Sequence, residues 1–287
     1  MPPSILQHFH PLIASWFTER LGEPTDVQSR AWSEVMLGRH VLVTAPTGSG
    51  KTLAAFLWAI NQLVTGAWPC GETRVLYVSP LKALNNDVRR NLIAPLDELR
   101  EFFSMEGVPF PAIGVRTRSG DTPGDERRRM LRHPPEILIT TPESLNILLT
   151  SKGSRGTLTG VATVILDEIH AVAGSKRGTH LMTAVERLTL LSGEFQRIAL
   201  SATVRPLETV ADFLGGVKPA GREYRPRPVS IVRGERSKRF SLTISAPEDI
   251  ERSSAEDFWP GLVEKFTGII AAHRSTLFFA NSRRTTE

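Results

Sequence analysis

Two short runs in this 287-residue chain carry the residue types that phosphate chemistry requires. The first is Ala45-Pro46-Thr47-Gly48-Ser49-Gly50-Lys51-Thr52, which follows the apolar run Val41-Leu42-Val43 and opens a helically patterned stretch from Lys51 to Val64. A loop between a strand and a helix turns its backbone N–H groups inward, toward an anion. Gly48 and Gly50 allow tight backbone that a Cβ obstructs. Lys51 supplies a point charge for the β- and γ-phosphates, and Thr52 a hydroxyl ligand for Mg²⁺. The strict pattern has Gly at its first position, where this chain has Ala45. A chance match to the relaxed pattern occurs in roughly 1–2% of chains this long, and less often with a strand before it and a helix after it. Residues Thr47 to Thr52 are therefore expected to bind ATP.

The second run is Asp167-Glu168-Ile169-His170, placed directly after Val164-Ile165-Leu166. A strand end delivers both carboxylates to the crevice beside the phosphate loop. Asp167 is expected to hold Mg²⁺, directly or through water, and Glu168 to orient and polarise the attacking water. Phosphoryl transfer needs mostly positioning and charge stabilisation, so this pair is its expected minimum. Alone, Asp-Glu after a strand reads as a solvated turn. The phosphate loop earlier in the chain gives the pair its meaning. His170 reads either as a link between the nucleotide site and a neighbouring domain or as a polar turn residue.

These residues need a scaffold, and the apolar patterning supplies one. Val75-Leu76-Tyr77-Val78 precedes a helix running toward Phe103, and Ile137-Leu138-Ile139 leads into Glu143 to Leu149. Val164-Ile165-Leu166 precedes a helix near Leu181 to Leu191, and Ile198-Ala199-Leu200 one near Leu207 to Leu214. Continuous apolar strands of this kind are covered on both faces. Their alternation with helices predicts an α/β fold, a doubly wound parallel sheet. Such sheets bind ligands at the carboxyl ends of their strands, where both runs sit. In Asp121-Thr122-Pro123-Gly124-Asp125-Glu126, Thr122 is expected to cap a helix with Pro123 at its first position.

Composition shifts after Gly215-Gly216. Residues 218–239 are rich in Pro, Arg and Gly and read as a linker around one short strand, Val229 to Val232. A strand at Phe240 to Ile244, a helix near Phe258 to Ala272 and a strand at Thr276 to Phe279 then begin another unit of the same kind. Roughly 50 residues is too few to complete it.

The bulk properties set limits. Hydrophobic residues make up 40% of the chain, enough for one sizeable core. The formal charge of +5 favours a polyanionic partner only weakly. The single cysteine, Cys70, excludes an intramolecular disulfide and suits a reducing compartment. No apolar run approaches the roughly 20 residues of a membrane helix, and the start of the chain does not read as a signal segment. A cytoplasmic protein is the expectation.

The order of the segments resembles a superfamily 2 helicase. Pro24-Thr25 with Gln28 resembles the adenine-reading Q motif, in a segment spanning 9–30. Ala45 to Thr52 resembles motif I, Ser79-Pro80-Leu81-Lys82-Ala83-Leu84 motif Ia, and Thr140-Thr141-Pro142-Glu143 a strand-contact motif. Asp167 to His170 is similar to motif II in its DExH form, and Ser201-Ala202-Thr203 to motif III. Longer strings resemble the Lhr (large helicase-related) family: Tyr77 to Asp87, Gly120-Asp121-Thr122-Pro123, Ile139 to Asn146, and Gly174 to His180. The likeness spans Phe9 to Val204 and resumes at Phe278 to Arg284, which resembles motif IV.

The resemblance implies a RecA-like first lobe over 1–217, the linker 218–239, and the beginning of a second RecA-like lobe at 240–287. It implies an ATP-dependent translocase moving 3′ to 5′ on single-stranded DNA and unwinding DNA or RNA–DNA duplexes in genome maintenance. Thr25 and Gln28 would read the adenine, while His170, Ser201 and Thr203 would couple nucleotide state to the strand. The strand itself would meet Ser79, Pro80, Lys82, Gly120, Asp121, Thr140, Thr141 and Pro142. Amides and hydroxyls at strand ends bind phosphates without reading sequence. Arg116, Arg118 and Lys176 would add charge, though each also reads as a solvated surface residue. The family's remaining motifs, with the arginine fingers of the second lobe, do not occur in these 287 residues. The expectation is the N-terminal part of such a motor, weakly active or inactive by itself. The alternative is a non-unwinding module that binds nucleotide and nucleic acid.

Overall fold

The computed structural model describes residues 4–46, 48–80, 89–202, 204–234, 241–244 and 255–279. It divides into two units, Met1–Arg236 and Ser237–Glu287. In the first, seven parallel strands stand in the order β3-β4-β2-β5-β6-β1-β9. They are β1 (His40–Thr44), β2 (Val75–Val78), β3 (Val115–Arg118), β4 (Ile137–Thr140), β5 (Thr163–Leu166), β6 (Gln196–Ser201) and β9 (Val229–Arg233). Strands β7 (Val217–Ala220) and β8 (Glu223–Pro226) form a separate antiparallel hairpin.

The alternation of side chains along each strand divides the core in two. Val41, Val43, Val75, Tyr77, Ile137, Ile139 and Ile165 face a layer built from α1 (Pro11–Leu21), α2 (Asp26–Met36), α3 (Lys51–Val64) and α4 (Ala94–Met105). Leu42, Leu76, Val78, Leu138, Val164 and Leu166 face α5 (Gly124–Arg132), α6 (Pro142–Thr150), α7 (Lys176–Ser192) and α8 (Leu207–Gly215). Burial on both faces explains the unbroken apolar runs, and the doubly wound RecA-like sheet is the one expected.

Four local expectations differ from the structure. Strand β9 lies beside β1 in parallel register, with Val41 opposite Ser230 and Val43 opposite Val232. The segment read as a linker from 218 is thus built into the first unit as far as Arg233, not hung between units. Strand β3 interrupts a stretch for which no strand was anticipated, because its alternation of Val115, Arg116, Thr117 and Arg118 lacks an apolar run. Thr122 does not cap: Pro123 holds that position, and the Thr122 hydroxyl accepts from Ser119 N at 2.8 Å and donates to the Thr117 carbonyl at 3.2 Å. In the second unit the helix is present as α9 (Ala255–Ala272). Ser241–Ile244 and Thr276–Phe279 form no strand there, and Phe240 lies outside the described residues. A strand exists only with a hydrogen-bonded neighbour, and among the described residues of this unit neither run has one. No described helix is long and apolar enough to cross a membrane.

Beside its ladder to β1 and the buried Val232, the misread segment is fastened by charge. Arg197 of β6 is fully buried. Its Nη1 donates to Glu186 Oε1 of α7 at 2.8 Å and to the carbonyls of Leu214 and Gly215 at 3.1 and 2.9 Å. Arg227, just before β9, donates to the same Glu186 oxygen at 3.0 Å and through Nε and Nη2 to both Glu194 oxygens at 2.8 Å. It also bonds the carbonyls of Gly215 and Val217. The Arg227 hydrogen bond holds the Glu194 carboxyl below its usual range. His40 beside them is pushed down to about 4, by burial first and then by Arg197 and Arg227. Glu186→Ala takes the carboxylate from two guanidinium groups that water barely reaches. Glu186 is 36% exposed and both arginines keep other acceptors, so the expected cost is about 2–3 kcal/mol, below that of a fully buried pair broken on one side. Urea unfolding measures it, and a loss below about 1 kcal/mol would mean that Glu186 does not hold the cluster together.

Candidate nucleotide site and strand groove

The phosphate loop lies between β1 and α3, as its sequence context requires. Gly48 and Gly50 both have left-handed φ, 84° and 79°. The left-handed backbone at Gly50 demands glycine, and a Cβ there would also stand 2.5 Å from Gln28 Nε2 and displace that side chain. The Ser49 hydroxyl is buried without a hydrogen-bond partner. An orphaned donor inside a glycine-shaped cradle fits a ligand rich in acceptor oxygens. Lys51 Nζ donates to the loop carbonyls of Ala45 and Pro46, the latter at 2.8 Å. Burial draws the Lys51 ammonium below the usual lysine range, and the charges of Glu168 and then Asp167 oppose that shift. The carboxylate pair is thus close enough to act on the loop's lysine. Thr47 lies outside the described residues.

Thr25 and Gln28 reach the same loop through a helix cap. Thr25 caps α2, and a reciprocal box joins Gln28 N to Thr25 Oγ1 at 3.3 Å and Thr25 N to Gln28 Oε1 at 2.9 Å. Gln28 Nε2 then donates to the Gly50 carbonyl, and Thr25 Oγ1 to that of Ser49, each at 3.5 Å. The residues expected to read adenine therefore also brace the phosphate loop from behind.

Asp167 and Glu168 follow β5. Asp167 N donates to the Val78 carbonyl at 2.9 Å, which ties the turn to β2. The Asp167 carboxylate accepts from Glu168 N at 2.9 Å through Oδ1 and from the Tyr77 hydroxyl through Oδ2. Glu168 has φ 47°, the only positive value for a non-glycine among the described residues. A left-handed non-glycine residue costs about 1–2 kcal/mol, a strain that functional turns often carry. Its carboxylate is 3.2 Å from His170 Nδ1, and that nitrogen is 3.3 Å from Ser201 Oγ at the end of β6. Ser201 O in turn accepts from Ala45 N at 3.1 Å, which links Glu168 through His170 and Ser201 to the start of the phosphate loop. Thr203 lies outside the described residues. Hard oxygen donors such as the Thr52 hydroxyl and Asp167 carboxylate suit Mg²⁺, which takes few protein ligands beside phosphate and water.

The residues expected to meet a strand separate into groups. Gly120, Asp121, Thr140 and Thr141 line a cavity of about 420 Å³ at the ends of β3 and β4, with Glu143 and Arg177. Pro142 begins α6 and Thr141 caps it, accepting from Ser144 N at 3.3 Å. The Thr140 side chain is fully buried and donates to the Arg118 carbonyl at 2.7 Å, so it shapes the groove from below. Ser79 and Pro80 are also buried, with Ser79 N bonded to the Thr140 carbonyl. Arg116 and Arg118 are not brought to this groove. Arg116 lines a cavity of about 780 Å³ with Arg100, Arg129 and His133. Arg118 is buried in another with Arg127, and burial lowers its pKa. Lys176 is exposed at the first turn of α7, and Lys82 lies outside the described residues. The cation that does border the groove is Arg177, doubly bonded to Glu143 at 2.6 and 3.1 Å. That pair and Tyr77 escaped the sequence reading. Arg177 sits one helical position beyond Lys176, and its forked guanidinium suits the two-pronged bond to Glu143. Tyr77 carries a polar tip inside an otherwise apolar strand, and a buried tyrosine hydroxyl must find a partner.

The DEAD/DEAH box helicase family profile matches residues 25–213, the span that holds the phosphate loop, the carboxylate pair and the groove. This chain belongs to that family, and within it to the Lhr helicases, whose ATPase region it represents. It is 49% identical over 285 residues to the "Lhr helicase/ probable uracil glycosylase" of Mycolicibacterium smegmatis, covering 98% of this chain and 18% of that protein. It is 42% identical over 306 residues to the "Lhr helicase/uracil glycosylase" of Escherichia coli, covering 98% and 19%. Its fold superimposes on the structure of Mycobacterium smegmatis helicase Lhr bound to ssDNA and AMP-PNP with a TM-score of 0.81 at 47% identity, over 99% of this chain and 35% of that one. The chain thus spans about a fifth of the length of these curated relatives.

Proposed function

We propose that this chain is the ATP-binding lobe of a 3′–5′ DNA translocase that unwinds DNA or RNA–DNA duplexes in genome maintenance. One observation carries the reading. Glu168, His170, Ser201 and Ala45 at the start of the phosphate loop form one continuous chain of contacts, and the groove at Gly120, Asp121 and Thr141 opens from the same end of the same sheet. Loop N–H groups and Lys51 bind the triphosphate. Thr52 and Asp167 hold Mg²⁺, which neutralises phosphate charge. Glu168 orients the attacking water and takes its proton. His170 and Ser201 feel any displacement of Glu168 and pass it toward the strand ends. The relative bound to ssDNA and AMP-PNP supports both ligands. Among the described residues the one cation lining the groove, Arg177, is paired with Glu143, so strand binding there draws on amides and hydroxyls, which do not read sequence.

A second reading is a module that binds both ligands without unwinding. It is favoured because every nucleotide-site residue named above lies within the first unit. Purified residues 1–287 test what both readings share when titrated with a fluorescent ATP analogue and labelled single-stranded DNA, then assayed on a tailed duplex. The expected result is nucleotide binding, weak strand binding and negligible unwinding. Absence of nucleotide binding would overturn the assignment of the loop. Robust unwinding would show that these residues alone make a motor.

A further inference from the structure

The carboxylate of Asp167 is held from two sides. Glu168 N donates to Oδ1 from within the same turn, while Tyr77 donates to Oδ2 from the neighbouring strand. Tyr77 stands in β2, opposite Ile165 of β5, two residues before Asp167. Its side chain is 1% exposed, and its ring packs against Phe56 of α3 at 5.1 Å between centroids, tilted by 31°. Phe56 belongs to the helix that the phosphate loop opens. The phenol thus spans the layer between loop helix and sheet and ends on the oxygen opposite the one Glu168 N holds.

We infer that Tyr77 is a positioning residue for the divalent cation of the nucleotide site, acting through Asp167. The inference rests on the reading that Asp167 holds that cation. A carboxylate with a single donor swings about its Cβ–Cγ bond, whereas donors on both oxygens fix its plane. Groups that orient a metal's ligand typically alter metal affinity by 10–100-fold when lost.

Tyr77→Phe removes the hydroxyl and keeps the ring against Phe56. Binding of a fluorescent ATP analogue to this chain is measured first without divalent metal and then across a Mg²⁺ titration, repeated with Mn²⁺. For Tyr77→Phe, metal-free analogue affinity is expected to match the parent chain, with melting lowered by no more than the loss of one hydrogen bond. The metal concentration giving half of the metal-induced gain is expected to rise about tenfold. A merely structural role would shift melting or metal-free binding and leave the metal midpoint in place. An unchanged midpoint in Tyr77→Phe, with a clear metal effect in the parent chain, would overturn the role of Tyr77 alone. If the parent chain shows no metal effect, or Asp167→Asn retains the parent's midpoint, the assignment of Asp167 fails and the inference with it.

Discussion

Lys51→Ala is expected to weaken binding of an ATP analogue by about 10–150-fold, from the 1.5–3 kcal/mol of a hydrogen bond to a charged group. Burial alone would make an isolated ammonium costly at this position. Glu168 and Asp167 act against that cost, and the carbonyls of Ala45 and Pro46 accept its protons. A triphosphate entering the cradle offers the same ammonium stronger, charged acceptors. Its binding and the lysine's position are therefore coupled. Lys51→Ala leaves the Ala45 and Pro46 carbonyls without this donor, so a melting curve must accompany the titration. Lys51→Arg retains the charge in a shape the loop was not built for, and should fall between the two. Affinity within twofold of the parent chain for a folded Lys51→Ala protein would overturn the phosphate-loop assignment.

The two reading errors with structural consequences have one cause. Strands β1, β2, β4, β5 and β6 are legible because each is buried on both faces and therefore apolar throughout. Edge positions carry a weaker signal: Val229 to Val232 is legible as a short strand but not as a member of this sheet, and β3 is not legible at all. Strand β3 closes one edge of the sheet and β9 the other. Their sequences, Val-Arg-Thr-Arg and Val-Ser-Ile-Val-Arg, satisfy water or ion pairs as well as a core. The arginine content that made 218–239 look like a tether includes Arg227, whose partners Glu186 and Glu194 lie over thirty residues earlier. Nothing local to Arg227 announces them. The site divides in the same way. The phosphate loop and Asp167-Glu168 could be read because their chemistry demands fixed residue types at fixed spacing. The Gln28–Gly50, Tyr77–Asp167 and Arg177–Glu143 contacts join distant segments, and only the fold shows them. Arg116 and Arg118 illustrate the converse. Their charge suggested a phosphate backbone, but alternation along β3 sends them into cavities away from the groove.

Glu168→Gln is expected to hold the ATP analogue within about threefold of the parent affinity. Hydrolysis should slow by about 10²–10⁴-fold, the usual contribution of a positioned general base. Gln keeps the size of the side chain and can still bond His170, so the left-handed turn at φ 47° and the link to Ser201 survive. What it loses is the capacity to take a proton from water. Asp167 and Lys51 stay in place, so binding and hydrolysis should part company. Analogue titration measures the first, and phosphate release with single-stranded DNA present measures the second. His170→Ala separates the remaining possibility. It leaves the Glu168 carboxylate intact but cuts the contact toward Ser201, so basal hydrolysis should persist while stimulation by the strand declines. If Glu168→Gln loses binding and hydrolysis in equal measure, Glu168 shapes the site and does not act on the water. In that case the strain at its backbone would belong to the architecture of the turn, and the catalytic base would have to be sought among the other groups facing the phosphate loop.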